Sequence, residues 1–216
     1  LSPYIISNMF SKYVAKFPHG YTPSNSQITL LEEIEKAYKD GYKYVIVSAP
    51  TGTGKSFIPR TLGNVGANPT KHFKDLINSY EAYRKDQHGN YIFEKDCLSE
   101  PAFGTFALTI TKQLQDQYKL LFDDIEILKG KQNYICTVDE SFNVDTAPCI
   151  HTPKLKNECW GKNSCTYFSN RNNSLSNPFA VLNYKMFMAL PQHVKRRNFI
   201  VCDEASELEE ELVRRF

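Results

Sequence analysis

The chain has 216 residues, of which 41% are hydrophobic, and it carries 26 lysines and arginines against 24 aspartates and glutamates. With 14 Phe and 13 Tyr this composition predicts a globular core and excludes disorder throughout. A formal net charge of +2 gives no argument for nucleic-acid or membrane binding, so such partners have to be argued from local sites. No apolar run approaches the roughly 20 residues of a membrane span. We therefore expect no membrane partner and a soluble, unsecreted protein, cytoplasmic or, in a eukaryote, nuclear.

Apolar runs of strand length, each followed by a helical pattern, repeat along the chain. This rhythm is typical of a parallel β-sheet covered by helices, and it predicts an α/β fold. The predicted strands are residues 44–49, 106–110, 125–128, 179–182 and 199–202, and the predicted helices are residues 27–39, 55–65, 114–122 and 207–215. The run YVIVSA at 44–49 is expected to be the first buried strand.

Two stretches interrupt this rhythm. Residues 66–104 are polar and weakly periodic, and they predict an insertion that is partly disordered. Residues 129–177 contain a cluster of cysteines and are expected to form a small domain inserted between two core strands, so that 1–128 and 178–216 together make the main domain. Because the chain starts at Leu1 without Met and the helical pattern is still running at Phe216, we expect it to be a piece of a longer protein.

A glycine-rich loop lies between the predicted strand 44–49 and the following helix. Its sequence, APTGTGKS, matches the phosphate-loop pattern G-x-x-x-x-G-K-[ST] except that Ala49 replaces the first glycine. Glycines allow the backbone to curl so that its N–H groups can bind phosphate oxygens. The expected nucleotide contacts are Thr51, Gly52, Thr53, Gly54, Lys55 and Ser56, with Lys55 on the β and γ phosphates and the Ser56 hydroxyl on Mg²⁺. The alternative is a glycine-rich turn with an incidental lysine.

Two carboxylates directly follow the predicted strand 199–202. At that position Asp203 can reach the Mg²⁺ shell, and Glu204 can orient or deprotonate the attacking water. The catalytic residues are therefore predicted to be Lys55, Asp203 and Glu204. The alternative is an ordinary acidic N-cap for the helix that follows.

Four cysteines fall within thirty residues: Cys136, Cys149, Cys159 and Cys165. Structural zinc sites usually contain ligand pairs separated by two to four residues. None of the four cysteines forms such a pair, which disfavours zinc. An iron–sulfur cluster tolerates irregular loops between its thiolate ligands. A [4Fe–4S] cluster, a zinc site and scattered buried cysteines all remain open from the spacing alone.

The sequence around these sites resembles the first motor domain of the iron–sulfur superfamily 2 DNA helicases of the DinG and XPD family. Six segments appear in the family's order: YTPSNSQ ending at Gln27, the loop APTGTGKS, TITKQLQDQ from Thr109, LKGKQNYIC ending at Cys136, AVLNY ending at Tyr184, and VCDEAS from Val201. The resemblance covers most of residues 21–212 and leaves 66–104 unexplained. It implies a RecA-like phosphate-loop fold with an inserted iron–sulfur domain, bound ATP and Mg²⁺, and 5′ to 3′ movement on single-stranded or forked DNA by a monomer.

The resemblance also implies roles for particular residues. Gln27 would read adenine, the four cysteines would hold a [4Fe–4S] cluster, and backbone contacts to DNA would come from Thr109, Thr111, Lys112 and Gln115. Short polar side chains at a strand end suit phosphate contacts, although helix capping is the alternative for these four. Ser206 departs from the family, which commonly has histidine there, and this puts coupling to the motor in doubt. The resemblance further implies a second motor domain beyond Phe216, so this chain alone is expected to hydrolyse ATP barely detectably.

Two other functions remain open. One is a phosphate-loop ATPase or kinase with a structural zinc site, which would be colourless and would contain stoichiometric zinc. The other is a module that binds DNA and nucleotide without turnover, an option that Ser206 keeps open.

Overall fold

The computed structural model describes residues 11–50, 52–67, 103–152, 154–155, 159 and 165–213. Within them a four-stranded, all-parallel sheet is covered by helices, as the sequence predicts. The strands are β1 (Thr105–Thr109), β2 (Glu126–Leu128), β3 (Phe179–Asn183) and β4 (Phe199–Cys202). The helices are α1 (Asn25–Lys39), α2 (Phe57–Val65), α3 (Lys112–Leu121), α4 (Thr166–Ser176), α5 (Tyr184–Ala189) and α6 (Leu208–Val213).

The sheet has the order β2-β3-β1-β4, and its register places the strand ends together. Thr109 of β1 lies opposite Asn183 of β3, and Leu108 lies opposite Cys202 of β4. Parallel strands need crossover connections, and these carry the covering helices. The carboxyl ends of three strands therefore meet at one edge, where open α/β sheets bind their ligands.

The inner strands β1 and β3 are buried on both faces, and their side chains alternate between the two faces. Phe106 and Leu108 belong to a core cluster under α4 and α5, whereas Ala107 points to the opposite face, into a cluster with Tyr118 of α3. This period-two alternation is what a strand imposes on its side chains. The near-continuous apolar strands are explained by burial on both faces.

The predicted strand at 44–49 is wrong. These residues form no strand, and Ile46 and Tyr44 are 98% and 88% exposed. A strand exists only through hydrogen bonds to a neighbour. Among the described residues, β4 pairs on one side only, with β1, and nothing is paired with 44–49. The apolar composition of this run predicts a buried strand. Composition does not show whether a neighbouring strand is available to pair with it.

The cysteine-bearing segment does not build a core of its own. Val144, Tyr167 and Leu175 from the predicted insert pack into the same cluster as Phe106 and Leu182 of the sheet. The helix α4, which the sequence did not predict, is the crossover between β2 and β3 and covers one face of the sheet. In the described residues, then, no separate iron–sulfur domain is present, and the segment is continuous with the main core.

Arg197 is buried rather than solvated. Its guanidinium lies 4.2 Å and 4.1 Å from the ring centres of Phe103 and Phe106, and it donates to the carbonyl of Leu175 at 2.6 Å. Burial lowers the pKa of this guanidinium to about 9, which leaves it charged at neutral pH. The residue thus ties the end of α4 to the start of β1.

The ends of the predicted insertion 66–104 lie against each other. The N–H of Gly104 donates to the carbonyl of Gly66, and the intervening residues 68–102 lie outside the described part of the chain. Gly104 has φ +62°, and a Cβ there would stand 2.2 Å from the carbonyl oxygen of Pro178. The junction accepts only glycine for two reasons, backbone conformation and space.

Gly104→Ala should lower the free energy of unfolding by about 3 kcal/mol, since it combines a left-handed backbone with a clash against a backbone atom. The matched control is Gly41→Ala, whose φ is +90° but whose Cβ would meet nothing within 4 Å. That variant should lose only about 1 kcal/mol, the cost of the backbone conformation alone. Urea unfolding measures both, and equal losses would show that the contact with Pro178 is not tight.

Candidate functional site

The phosphate loop is curled by two glycines with positive φ. Gly52 has φ +82° and Gly54 has φ +72°, both in the region that favours glycine. The Thr53 hydroxyl donates to the carbonyl of Pro50 at 2.8 Å, and the Lys55 ammonium donates to the carbonyl of Ala49 at 3.1 Å. Hydrogen bonds within the loop therefore close it on itself. Lys55 would leave the carbonyl of Ala49 to bind a phosphate. Thr51 lies outside the described residues.

Gln27 supports the loop from the first turn of α1. Its amide oxygen accepts from the N–H of Ser24 at 2.9 Å and completes a capping box with the Ser24 side chain. Its amide nitrogen donates to the carbonyl of Gly54 at 3.1 Å. A Cβ on Gly54 would stand 2.5 Å from that nitrogen, so the glycine is required for this approach. The structure places Gln27 beside the loop, while recognition of adenine stays a prediction.

Asp203 lies at the carboxyl edge of the sheet and is held there from two sides. Its N–H donates to the carbonyl of Leu108 at 2.9 Å, which continues the pairing of β4 with β1 by one residue. The hydroxyl of Tyr118 donates to the Asp203 carboxylate at 3.2 Å, and the hydroxyl of Tyr184 donates to its backbone carbonyl at 2.9 Å. Backbone and side chain of Asp203 are thus both positioned.

Ser56 reaches the same tyrosine from the phosphate loop. It precedes α2, and its side chain interacts with the phenol of Tyr118. Burial raises the pKa of Tyr118 well above its usual value, and the Asp203 charge raises it further, so the phenol remains protonated. Ser56 and Asp203 therefore lie one side chain apart. A hydroxyl and a carboxylate are oxygen ligands of the kind that Mg²⁺ takes, so the two predicted ligands fit that ion.

Glu204 has a strained backbone. With φ +54° and ψ +45° it is the one non-glycine residue of positive φ in the described part of the chain. Non-glycine residues in this region cost about 1–3 kcal/mol and concentrate at functional sites. The conformation starts a short 3₁₀ turn, Ala205–Glu207, and leaves Glu204 and Ser206 exposed. The strain is an independent reason to assign Glu204 a function.

The four predicted DNA contacts divide into two pairs. Thr111 and Lys112 are exposed at the start of α3, where the Thr111 hydroxyl accepts from the N–H of Leu114 at 3.2 Å. Thr109 and Gln115 are fully buried. The Gln115 amide donates to the carbonyls of Leu128 and Val181, so it joins the ends of two strands to α3.

The assignment of Thr109 and Gln115 to the nucleic-acid interface is therefore corrected. A fully buried side chain bonded to the strands cannot contact a nucleic-acid backbone from solvent. Arg171 in the cysteine-bearing segment is likewise turned inward, since it is only 4% exposed and lies 4.7 Å from the ring centre of Phe168. Thr111 and Lys112 remain as exposed candidates.

The four cysteines line one pocket. Cys136, Cys149, Cys159 and Cys165 all face it, with Val144, Ala147 and Phe168 supplying an apolar wall. Burial raises the pKa of the Cys149 thiol, and the neighbouring Cys136 and Cys165 raise it further. Cys202 is on β4, apart from the pocket. Four thiols that converge from separate loops fit the ligand set of an iron–sulfur cluster.

No single-ion site accompanies the pocket in the described residues, where no three His, Cys, Asp or Glu side chains are grouped tightly enough for one. In a [4Fe–4S] cluster each cysteine binds a different iron, and the binding of such a cluster by these four cysteines stays a prediction.

Sequence reasoning missed the two tyrosines that hold Asp203. Tyr118 follows Leu114 and precedes Phe122 at a spacing of four, which reads as the apolar face of an amphipathic helix. Nothing in that spacing distinguishes a phenol that packs from one that binds a carboxylate. Tyr184 belongs to the Asn-Tyr pair after β3, where Asn183 caps α5 by accepting from the N–H of Met186 at 2.7 Å.

Comparison with known proteins adds no relative. No family model matches the chain, and neither a curated protein nor a solved structure does. None of the described helices is long and apolar enough to cross a membrane. Function therefore has to be argued from the motifs and from the geometry that joins them.

Proposed function

We propose that the chain is the ATP-binding motor domain of an ATP-dependent 5′ to 3′ DNA helicase that carries a [4Fe–4S] cluster. The observation that carries this proposal is the hydrogen bond from the phenol of Tyr118 to the Asp203 carboxylate, with Ser56 of the phosphate loop interacting with the same phenol. Two motifs separated by almost 150 residues in sequence are thereby brought to one point, at the sheet edge where α/β proteins bind ligands.

The chain's own residues have distinct parts in ATP hydrolysis. Lys55 and the loop N–H groups would bind the phosphates, and Ser56 and Asp203 would hold Mg²⁺, which supplies charge neutralisation on the phosphate oxygens when bound. Glu204 would orient the attacking water and accept its proton. Its exposed carboxylate, in a conformation fixed by a strained backbone, supports this part.

The helicase assignment draws on two further features. Thr111 and Lys112 begin α3 at the same edge of the sheet, so a nucleic-acid backbone bound there would lie close to the nucleotide. The four-cysteine pocket supports the iron–sulfur subclass, since each cysteine of the resembled motif faces it. When bound, the cluster would cross-link four separate points of residues 129–177.

Lys55→Ala should lower the affinity for Mg·ATP about 10- to 100-fold, because hydrogen bonds to charged groups contribute roughly 1.5–3 kcal/mol. The lysine is exposed, so the free energy of unfolding should not change. Isothermal titration calorimetry measures the affinity, and Lys112→Ala, an equally exposed lysine on α3, is the matched control. Unchanged affinity in Lys55→Ala would remove the phosphate-loop assignment.

Glu204→Gly and Glu204→Gln should both abolish ATP hydrolysis in the complete motor while Mg·ATP still binds, because each removes the base. They should differ in stability. Glycine relieves the left-handed backbone and should raise the free energy of unfolding by about 1 kcal/mol, whereas glutamine keeps the strain. Urea unfolding of this chain distinguishes them. If the glycine variant is less stable than the glutamine variant, the backbone at Glu204 is not strained.

Cys149→Ser and Cys165→Ser should each remove iron, sulfide and visible absorption from protein purified without oxygen, since a cubane needs all four thiolates. Cys202→Ser is the matched control and should retain them, because Cys202 lies outside the pocket. Metal and sulfide analysis decides the result. If the parent protein is colourless and contains one zinc, the four cysteines hold a structural zinc ion and not a cluster.

A further inference from the structure

Tyr118 is an unusual core residue because its buried hydroxyl is hydrogen-bonded to a carboxylate. Only 2% of the residue is exposed, and its ring packs against Phe179 with 6.2 Å between ring centres. Phenylalanine would fill the same space. The added hydroxyl costs free energy in such a site unless it is hydrogen-bonded. Its partners are therefore informative about why tyrosine is present.

Both partners belong to the proposed magnesium site. The hydroxyl donates to one carboxylate oxygen of Asp203 at 3.2 Å, and Ser56 interacts with the same phenol. The other Asp203 oxygen remains for a metal or its water. Tyr118 does not itself offer a ligand, because its hydroxyl proton is donated to Asp203.

We propose that Tyr118 is a positioning residue for the magnesium site, which orients the Asp203 carboxylate through its single hydroxyl. The proposal rests on the proposed function, because it assumes that Ser56 and Asp203 hold Mg²⁺ beside a nucleotide. It is carried by the hydrogen bond from the buried Tyr118 of α3 to Asp203, the residue after β4.

The affinity for Mg²⁺ depends strongly on how its ligands are positioned. It demands nearly ideal octahedral geometry at about 2.0–2.1 Å, so a small displacement of one ligand weakens binding. Residues that orient metal ligands typically contribute about 10- to 100-fold in affinity. Tyr184 fixes the backbone of Asp203 by donating to its carbonyl at 2.9 Å, which leaves the side-chain torsions to Tyr118.

The test compares ADP binding with and without Mg²⁺ in the parent chain and in Tyr118→Phe. ADP avoids hydrolysis, and the ratio of the two affinities isolates the contribution of the metal. We expect this ratio to fall about tenfold in Tyr118→Phe while the affinity for metal-free ADP stays within twofold. Electron paramagnetic resonance of Mn²⁺ with ADP gives a second readout and should show weaker metal binding by the same factor.

The matched control is Tyr134→Phe. This variant also loses a hydroxyl contact, the half-buried bond from Tyr134 to Asn170 at 2.6 Å, but Tyr134 belongs to the cysteine-bearing segment. Its ratio should equal that of the parent. Circular dichroism melting and the retained affinity for metal-free ADP establish that Tyr118→Phe is folded at the temperature of measurement.

Three results would count against the proposal. An unchanged ratio in Tyr118→Phe makes Tyr118 a packing residue and leaves the proposed function intact. An equal fall in metal-free and Mg²⁺-dependent affinity indicates damage to the whole loop instead of the metal site. A parent chain whose ADP affinity does not depend on Mg²⁺ overturns both this proposal and the function on which it rests.

Discussion

The pairing of β4 with β1 is the interaction on which the arrangement of the site depends. It brings Asp203 to the carboxyl edge of the sheet, and the bond from its N–H to Leu108 extends the ladder by one residue. A slip of one residue in this register would exchange the two faces of β4. Asp203 would then point away from α3, and Tyr118 would lose its carboxylate partner. The register of the sheet therefore also fixes the position of the Asp203 carboxylate.

The cysteine pocket and the sheet are also mechanically connected. Cys165 is the N-cap of α4, and three residues later on the same helix Phe168 lines the pocket, while Leu175 is buried against the sheet. A group bound by the cysteines would hold the first turn of the helix whose last turn contacts the strands. The stability of the sheet and the occupancy of the pocket should thus be linked thermodynamically, as for any ligand that binds the folded state alone.

Motifs whose local chemistry decides their conformation could be predicted from sequence. The glycines of the phosphate loop, the helix expected at 27–39 and the strand 199–202 with its acidic end all lie as their patterns indicate. Features that depend on a distant partner could not. The run 44–49 has the composition of a buried strand without a described neighbour, and Gln115 looks like a surface residue until the strands that it joins are known. Tyr118 belongs to this second class, since its role follows from residues 56 and 203 and not from its own helix.

The touching ends of the segment between Gly66 and Gly104 have a consequence for how this protein can vary. Because the two flanking backbones already meet, the chain between them spans no distance, and its length enters the folding free energy only through a slowly growing entropy of closure. Relatives could carry shorter, longer or unrelated sequences at this point without moving a strand. A fluorescent or affinity module could therefore be inserted between Gly66 and Gly104. The proposed nucleotide site lies at the opposite ends of the strands and should keep its geometry.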